Sequence, residues 1–394
     1  MLILLAVHAA VAAVLPLLAR RLGRAVWPLA ALVPLAALGW ALAQTPRVIG
    51  GSFVQEDLTW APSLGLRVDL RLDGLALLMV CVLSGVGAAV LVYCAYYVEQ
   101  DAGREAALLL AFAGAMLGLV LADNLFVLYA FWELTSVASF LLIAGRSPGR
   151  RRRAAAAQAL LTTVAGGLAM LLGLVILARA AGTVRLSALL ADPPRGGLVS
   201  VALALVLVGA FAKSAQMPLH GWLPAAMVAP TPVSAYLHAA AMVKAGVYLI
   251  ARLAPGFAEV GPWRPAVFTV GLLTMVLGAW RALRETDLKE LLAYGTVSEL
   301  GMLTVLLGAG TRTAALAGEV MLLAHASFKA TLFLVVGILE QQAGTRDIRE
   351  LSDMGRRLPG VFAVAALAAA SMAGLPPLID YLGKEAAYEG FQHG

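Results

Sequence analysis

Residues 74–97 run for 24 positions without one charged side chain. A helix rises 1.5 Å per residue, so such a run reaches about 36 Å, longer than the roughly 30 Å hydrocarbon layer of a bilayer. The pattern recurs along the chain, at 2–19, 25–44, 74–97, 106–122, 124–145, 154–178, 199–217, 231–251, 265–280, 290–309, 314–339 and 359–378. Inside hydrocarbon every backbone N–H and C=O needs a partner within the protein, which leaves helices and closed barrels. Continuous apolar runs of this length specify helices. The expected fold class is therefore all-α, a polytopic membrane protein of about 12 transmembrane helices. Composition agrees, with 61% hydrophobic and only 13% charged residues. That balance excludes a soluble enzyme, a disordered tail and a nucleic-acid binder.

One longer polar insert, 45–73, interrupts the pattern. Within it Leu64, Leu66, Val68, Leu70 and Leu72 alternate with Gly65, Arg67, Asp69 and Arg71. A period of two predicts a strand, one half of a short β-hairpin on the membrane surface. Cys81 and Cys94 share one apolar stretch without metal-ligand spacing, and read as small buried residues. The first 21 residues lack a basic leader and end in Leu-Leu-Ala-Arg-Arg, which reads as a first span with a cytoplasmic stop rather than a cleaved signal peptide.

Basic residues orient such a chain, because loops rich in Arg and Lys stay in the cytoplasm. Loops after odd-numbered spans carry 16 of them, including the run Arg150, Arg151, Arg152 and Arg153 and the pair-forming Lys289 beside Asp287; loops after even-numbered spans carry nine. The N-terminus is accordingly expected outside the cytoplasm. The basic character of the chain, with a formal net charge of +6, belongs to these loops and to anionic headgroups rather than to nucleic acid.

Lysine is used differently from arginine. The chain has five lysines against 24 arginines, and Lys213, Lys244, Lys329 and Lys384 lie in or beside apolar segments. A charge at bilayer depth costs about 2.5–3.5 kcal/mol on insertion scales. Arginine stays charged there, whereas a desolvated lysine can give up its proton. A row of buried lysines can thus bind and release protons. The competing reading is that they snorkel to the interface or lock helices by fixed ion pairs.

Other polar groups sit at the same depth. Glu133 lies mid-span in Ala-Phe-Trp-Glu-Leu-Thr-Ser and is expected to be a switchable or a static partner of a lysine, Lys213 above all. Lys213 precedes Pro218, a helix breaker of the kind that transporters place at ion sites. His220 follows and either relays a proton or caps the interface. His238 and Lys244 share one span but not one helical stripe, so a water is needed between them. His325 and Lys329 are four apart, on one helix face, and read as a relay step. Pro376 and Pro377 repeat the break, and Asp380 and Lys384 stand four apart if a helix resumes. Glu299 and Glu319 lie in apolar context and could line the path. No metal site and no cofactor is expected. Two proline breaks in separate halves predict an inverted internal repeat. This divides the chain into N-terminal spans with the hairpin (1–105), a first repeat (106–253) and an incomplete second repeat (254–394).

Several motifs resemble a known family. Phe-Trp-Glu-Leu-Thr-Ser (131–136), Lys-Ser-Ala-Gln-Met-Pro (213–218), Pro-Thr-Pro-Val-Ser-Ala-Tyr-Leu-His-Ala (230–239), Asp-Leu-Lys-Glu-Leu-Leu-Ala-Tyr (287–294) and His-Ala-Ser-Phe-Lys-Ala (325–330) are similar to the proton-translocating, antiporter-like family. That family joins the large membrane subunits of respiratory complex I to the Mrp cation/proton antiporters. Trp-Ala-Pro-Ser-Leu-Gly-Leu (60–66), Arg-Leu-Asp-Gly-Leu (71–75), Gly-Thr-Arg-Asp-Ile-Arg (344–349) and Lys-Glu-Ala-Ala-Tyr-Glu (384–389) resemble the A-type subunit of the Mrp Na+/H+ antiporters in particular. The resemblance implies that Glu133 and Lys213 are a coupled pair. It continues the hydrophilic axis through His238, Lys244, His325 and Lys329, and makes Lys384 the terminal lysine. Three positions depart from the pattern. Asp380 stands where glycine is usual, Met321 where a second histidine is common, and Glu299 where glutamine is usual. Family members extend beyond the position of Gly394, so the chain is expected to be a C-terminally truncated fragment.

The expected function is that of a multi-pass cytoplasmic-membrane subunit of a hetero-oligomeric cation/proton antiporter. It would move H+ inward along Glu133, Lys213, Lys244, Lys329 and Lys384 in exchange for Na+, or for K+, with Asp380 and Glu299 as cation or accessory contributors. It would hold no catalytic residue. The alternative is a proton-pumping membrane subunit of a complex I-like NADH-quinone oxidoreductase or of a membrane-bound hydrogenase.

Overall fold

The structure, a computed structural model, describes residues 1–61, 66–98, 101–146 and 149–392. Residues 62–65 lie outside the described set, and with them Leu64 and part of the 60–66 motif. The expected helical membrane architecture is present. Nine helical stretches among the described residues are long and apolar enough to cross a membrane. The first, Leu2–Ile49, comprises α1 (Leu2–Leu22) and α2 (Val26–Ile49), parted by one 3-10 turn at Gly23–Ala25. There follow α3 (Gly74–Tyr97), α4 (Ala102–Leu121), α5 (Leu125–Ala144), α6 (Arg150–Ala181), the short α7 (Leu186–Ala191) and α8 (Gly197–Lys213). Beyond a break come α9 (Trp222–Ala225), α10 (Thr231–Ser234), α11 (Lys244–Phe257), α12 (Trp263–Ala282), α13 (Leu288–Gly308), α14 (Arg312–Ala343), α15 (Met354–Arg357), α16 (Pro359–Ala373) and α17 (Ile379–Gln392). By contacts the chain forms two compact units, 1–145 with 163–209, and 146–162 with 210–394.

Helix ends fall where side chains can cap them. Asp73, Asn124, Asp287 and Thr311 accept backbone N–H bonds at the starts of α3, α5, α13 and α14. Gly344 and Gly374 close α14 and α16 in the left-handed conformation that lacks a steric penalty only for glycine. In the first unit small residues let helices approach. A Cβ on Gly114 of α4 would stand 2.8 Å from the Cβ of His8 on α1, and one on Gly118 would enter the ring of Phe131 on α5. The same device joins α12 to α13 in the second unit, where Gly278 lies against Ser298 and Gly301 against Met275.

The insert is a hairpin as expected. β1 (Val54–Ala61) pairs antiparallel with β2 (Leu66–Leu72), from Val54 opposite Leu72 to Ala61 opposite Leu66. Leu70 and Leu72 point inward and are fully buried. The hairpin is tied down by Asp69, which takes Arg185 Nη2 at 2.9 Å and Asn124 Nδ2 at 3.3 Å. Arg185 also reaches Asp57 at 3.1 Å. The Asp57 carboxylate, raised by its partial burial but lowered more by the Gln55 amide and the Arg185 guanidinium, sits below the ordinary aspartate value.

Three expectations need correction. The segment 231–251 is not one continuous helix. After α10 the backbone widens into a π turn at Ala235–Ala240, breaks, and restarts as α11 at Lys244. The break near Pro218 begins earlier, since α8 ends at Lys213 and Ala215 takes a positive φ of 49°. Finally, Arg150 to Arg153 open α6 rather than filling a loop.

Candidate functional site

Lys213, Lys244 and Lys384 lie at or beside helix breaks, where the backbone has groups to satisfy, whereas Glu133, Glu299, His325 and Lys329 stand inside continuous helices. In the second unit the break after α8 is closed by side chains. Ser214 Oγ donates to Val243 O at 2.6 Å and accepts from Val247 N at 3.0 Å, so one hydroxyl ties the end of α8 to the start of α11. Thr274 of α12 accepts the Met217 N–H at 2.9 Å. Gly246 permits this approach, because a Cβ there would collide with Ala210 O and Ser214 Oγ. Lys213 occupies the last turn of α8 and is fully buried. A helix C-terminus is a favourable place for a cation.

Lys244 starts α11 and is also fully buried. Its Nζ meets His325 Nδ1 of α14 at 2.8 Å and donates to Leu322 O at 3.4 Å. The break between His238 and Lys244 removes the helical-wheel argument, and the lysine finds its histidine on another helix. One turn beyond His325, Lys329 donates to Leu292 O of α13 at 3.4 Å. Gly295 makes room for it, since a Cβ there would stand 2.6 Å from Lys329 Nζ. His325 and Lys329 are thus brought together on one face of α14, as the i, i+4 spacing implies. His238 is buried in the π turn, its ring 5.9 Å from that of Trp222. His220 is half-buried in the 3-10 turn Leu219–Gly221.

The second break, Gly374 to Leu378, contains Pro376 and Pro377. The helix resumes as α17, and Asp380 pairs with Lys384 at 2.9 Å across one turn. Lys384 Nζ also donates to Met372 O, a freed carbonyl near the end of α16, at 2.7 Å. Glu299 of α13 lies in the electrostatic field of Lys244, Lys329, Lys384 and Asp380 together. The sequence marks it only as an accessory residue, and it stands among the amines.

Glu133 belongs to the first unit. It is half-buried on α5, its carboxylate packed over Gly167 of α6, where any Cβ would strike Oε1.

Lys289 is the residue that sequence reasoning misplaces. Its position reads as that of a loop cation, but it is buried in the first turn of α13, with Nζ donating to Ala229 O at 2.6 Å. Two signals point to it: it is one of only five lysines, and Asp287 before it is a helix cap. Around it Thr231 donates to Glu340 at 3.0 Å, and Arg346 reaches Asp287 at 2.9 Å and Glu340 at 3.7 Å. An open cleft of about 390 Å³, lined by Arg151, Gln158, Glu290, Tyr294 and Arg346 among others, adjoins this cluster. Nearby, Arg349 holds the Asp347 carboxylate down to about 2 through a bidentate contact. Among the described residues no three of His, Cys, Asp and Glu converge as a metal-ligand group.

Fold and site define the class: a multi-pass membrane protein whose broken helices carry buried amines. Residues 122–390 match the family described as NADH:quinone oxidoreductase/Mrp antiporter, TM, and the chain belongs to that family. Residues 59–106 match the family described as NADH-Ubiquinone oxidoreductase (complex I), chain 5 N-terminus. The probable K(+)/H(+) antiporter A/B subunit of Rhizobium meliloti (strain 1021) is 47% identical over 345 residues, covering 86% of this chain and 34% of that protein. The A-type Na(+)/H(+) antiporter subunit of Alkalihalophilus pseudofirmus is 42% identical over 355 residues, covering 85% and 44%. A chain in the structure of the Mrp complex from Dietzia sp. DQ12-45-1b superposes with a TM-score of 0.91 at 42% identity, over 98% of this chain and 43% of that one. A chain of the archaeal membrane-bound sulfane sulfur reductase shares the fold, with a TM-score of 0.90 at 23% identity, over 99% and 81%. The chain spans between a third and a half of the length of the antiporter subunits it matches.

Proposed function

We propose that this chain is a membrane subunit of a hetero-oligomeric cation/proton antiporter, and that it carries protons along its buried lysines in exchange for Na+ or K+. The observation that carries the reading is the contact of Lys244 with His325, one helical turn from Lys329, in a buried region with Glu299 beside them. A buried amine cannot hold an uncompensated charge cheaply, so each lysine needs a neighbour that shares its proton or balances it. When one ammonium loses its proton, the field at the next changes, and the sites titrate as a coupled set. Lys213 with Glu133, His238, and Lys384 with Asp380 complete the row in this reading, with His220 and Lys289 at its edges. The helix breaks at Pro218 and at Pro376 and Pro377 take carbonyls out of the helical ladder, and at the second one Met372 O holds Lys384. The two breaks belong to internal repeats at 106–253 and 254–394. The excess of basic residues in the loops after odd-numbered spans supports an N-terminus outside the cytoplasm. The names of the relatives, which are subunits of K(+)/H(+) and Na(+)/H(+) antiporters, support the exchange.

The test is sodium-dependent proton flux in vesicles carrying the assembled complex. Lys213→Ala and Glu133→Ala each abolish flux without loss of assembly if the reading holds. Unchanged flux in Glu133→Ala would refute it. A second reading, a redox-driven pump subunit, is favoured by the match of residues 59–106 to a complex I chain. Flux driven by a sodium gradient with no electron donor present separates the two.

A further inference from the structure

Glu299 is the group in this unit whose surroundings ask for an explanation. It sits on α13 with Leu292 and Gly295, seven and four residues before it and so on one helical stripe. That stripe faces Lys329, which bonds to the Leu292 carbonyl and rests over Gly295. Helix α14 packs against both α13 and α17, and a Cβ on Gly383 of α17 would strike Met321, one turn before His325. Charged groups therefore act on Glu299 from three helices: Lys244 on α11, Lys329 on α14, and Asp380 with Lys384 on α17. Its Oε1 is enclosed and has no hydrogen-bond partner among the described residues.

We infer that Glu299 is a proton-carrying junction between Lys329 and the Asp380–Lys384 pair. The inference rests on the proton-transport reading above and adds a residue to it. The argument is electrostatic. Three amines and one further carboxylate share the field of one carboxyl group, and each Lys has a fixed carbonyl or imidazole to hold it in place. A carboxylate that only balanced charge would be expected to form a close ion pair with one ammonium, as Asp380 does with Lys384 at 2.9 Å. Glu299 has an oxygen to spare. In the transfer, the Lys329 ammonium gives its proton to the Glu299 carboxylate, leaving a neutral amine and a carboxylic acid. The acid then gives the proton to a neutral Lys384 amine, which restores the carboxylate and forms the ammonium that Asp380 balances. No charge is created or lost in either step, and a water bridges where the side chains do not touch.

The experiment uses Glu299→Gln and Glu299→Asp in the full-length subunit within its assembled complex. Infrared difference spectra on pH change, recorded between about pH 5 and 9, show a protonated-carboxyl band in the native protein that Glu299→Gln removes and Glu299→Asp keeps. The pH for half-maximal flux in Glu299→Gln moves by about one unit or more, as expected when a unit charge is removed at short range, while Glu299→Asp stays close to native. A native spectrum with no titrating carboxyl sensitive to Glu299→Gln overturns the inference, as does a Glu299→Gln pH profile that superposes on the native one. The infrared band is read without transport, so absence of sodium-dependent flux in the native complex defeats the functional reading while the band still decides the role of Glu299.

Discussion

Replacing Gly295 by alanine tests the position of Lys329 with a single methyl group. The new Cβ would stand 2.6 Å from Lys329 Nζ, and ordinary contact begins near 3.4 Å. The ammonium must retreat by the difference, about 0.8 Å, at the scale where dispersion contacts turn repulsive. Its bond to Leu292 O, already 3.4 Å long, would then lie beyond hydrogen-bonding range. The obstacle is the end of a flexible side chain, so the fold absorbs it. Alanine also favours a helix interior over glycine by up to about 1 kcal/mol. Stability and assembly should therefore hold or rise slightly. Transport should fall, because a charged hydrogen bond is worth about 1.5–3 kcal/mol and each 1.36 kcal/mol in a barrier is tenfold. The expected loss of proton flux is between about ten- and a hundredfold. Flux in vesicles is compared with thermal unfolding of the same detergent-purified complex. Gly39→Ala in α2, where a Cβ meets nothing within 4 Å, is the control for helix propensity alone. Native flux in a well-assembled Gly295→Ala complex would show that the placement of Lys329 is immaterial, and the proton row would lose its geometric basis.

Lys289→Met removes the buried donor to Ala229 O and leaves that carbonyl unpaired; a stability loss of about 1–3 kcal/mol is expected, read as a lower unfolding temperature. Ser214→Ala cuts both bonds that join the end of α8 to the start of α11, and should loosen that break, seen as faster amide hydrogen exchange at Val247. Asp57 has a lowered value, so its stabilising contribution is fully present above the ordinary aspartate range and fades as pH falls through the lowered one. Arg185→Ala should bring Asp57 back toward the ordinary range and speed protease cleavage within the hairpin at neutral pH; equal cleavage rates would argue against the Arg185 tether. Asp347, held at about 2 by Arg349, should remain ionised at pH 3, and Arg349→Ala should let it protonate near the usual aspartate value in a carboxyl titration.

Hydropathy alone determined the helical membrane fold, and the twelve apolar segments fall mainly on helix. The reason is that a bilayer allows so few ways to satisfy a backbone. The period of two from Leu64 to Leu72 announced the hairpin, and the scarcity of lysine singled out four side chains in or beside apolar segments. Tertiary structure decided the rest. Lys289 looked like a loop cation because local sequence cannot say what covers a helix start; the Ala229 carbonyl, 60 residues away, does so. The partner of Lys244 is His325, 81 residues on, not the nearby His238. The π turn after Ser234 has no composition signal, since widening a helix depends on what packs against it. Glu299 read as an accessory acid that could line the path, and only the meeting of α11, α13, α14 and α17 places it among three amines. Burial of apolar surface is a property of each segment and shows in its own residues. Electrostatic pairing is a property of distances between segments, and those exist only in the folded chain.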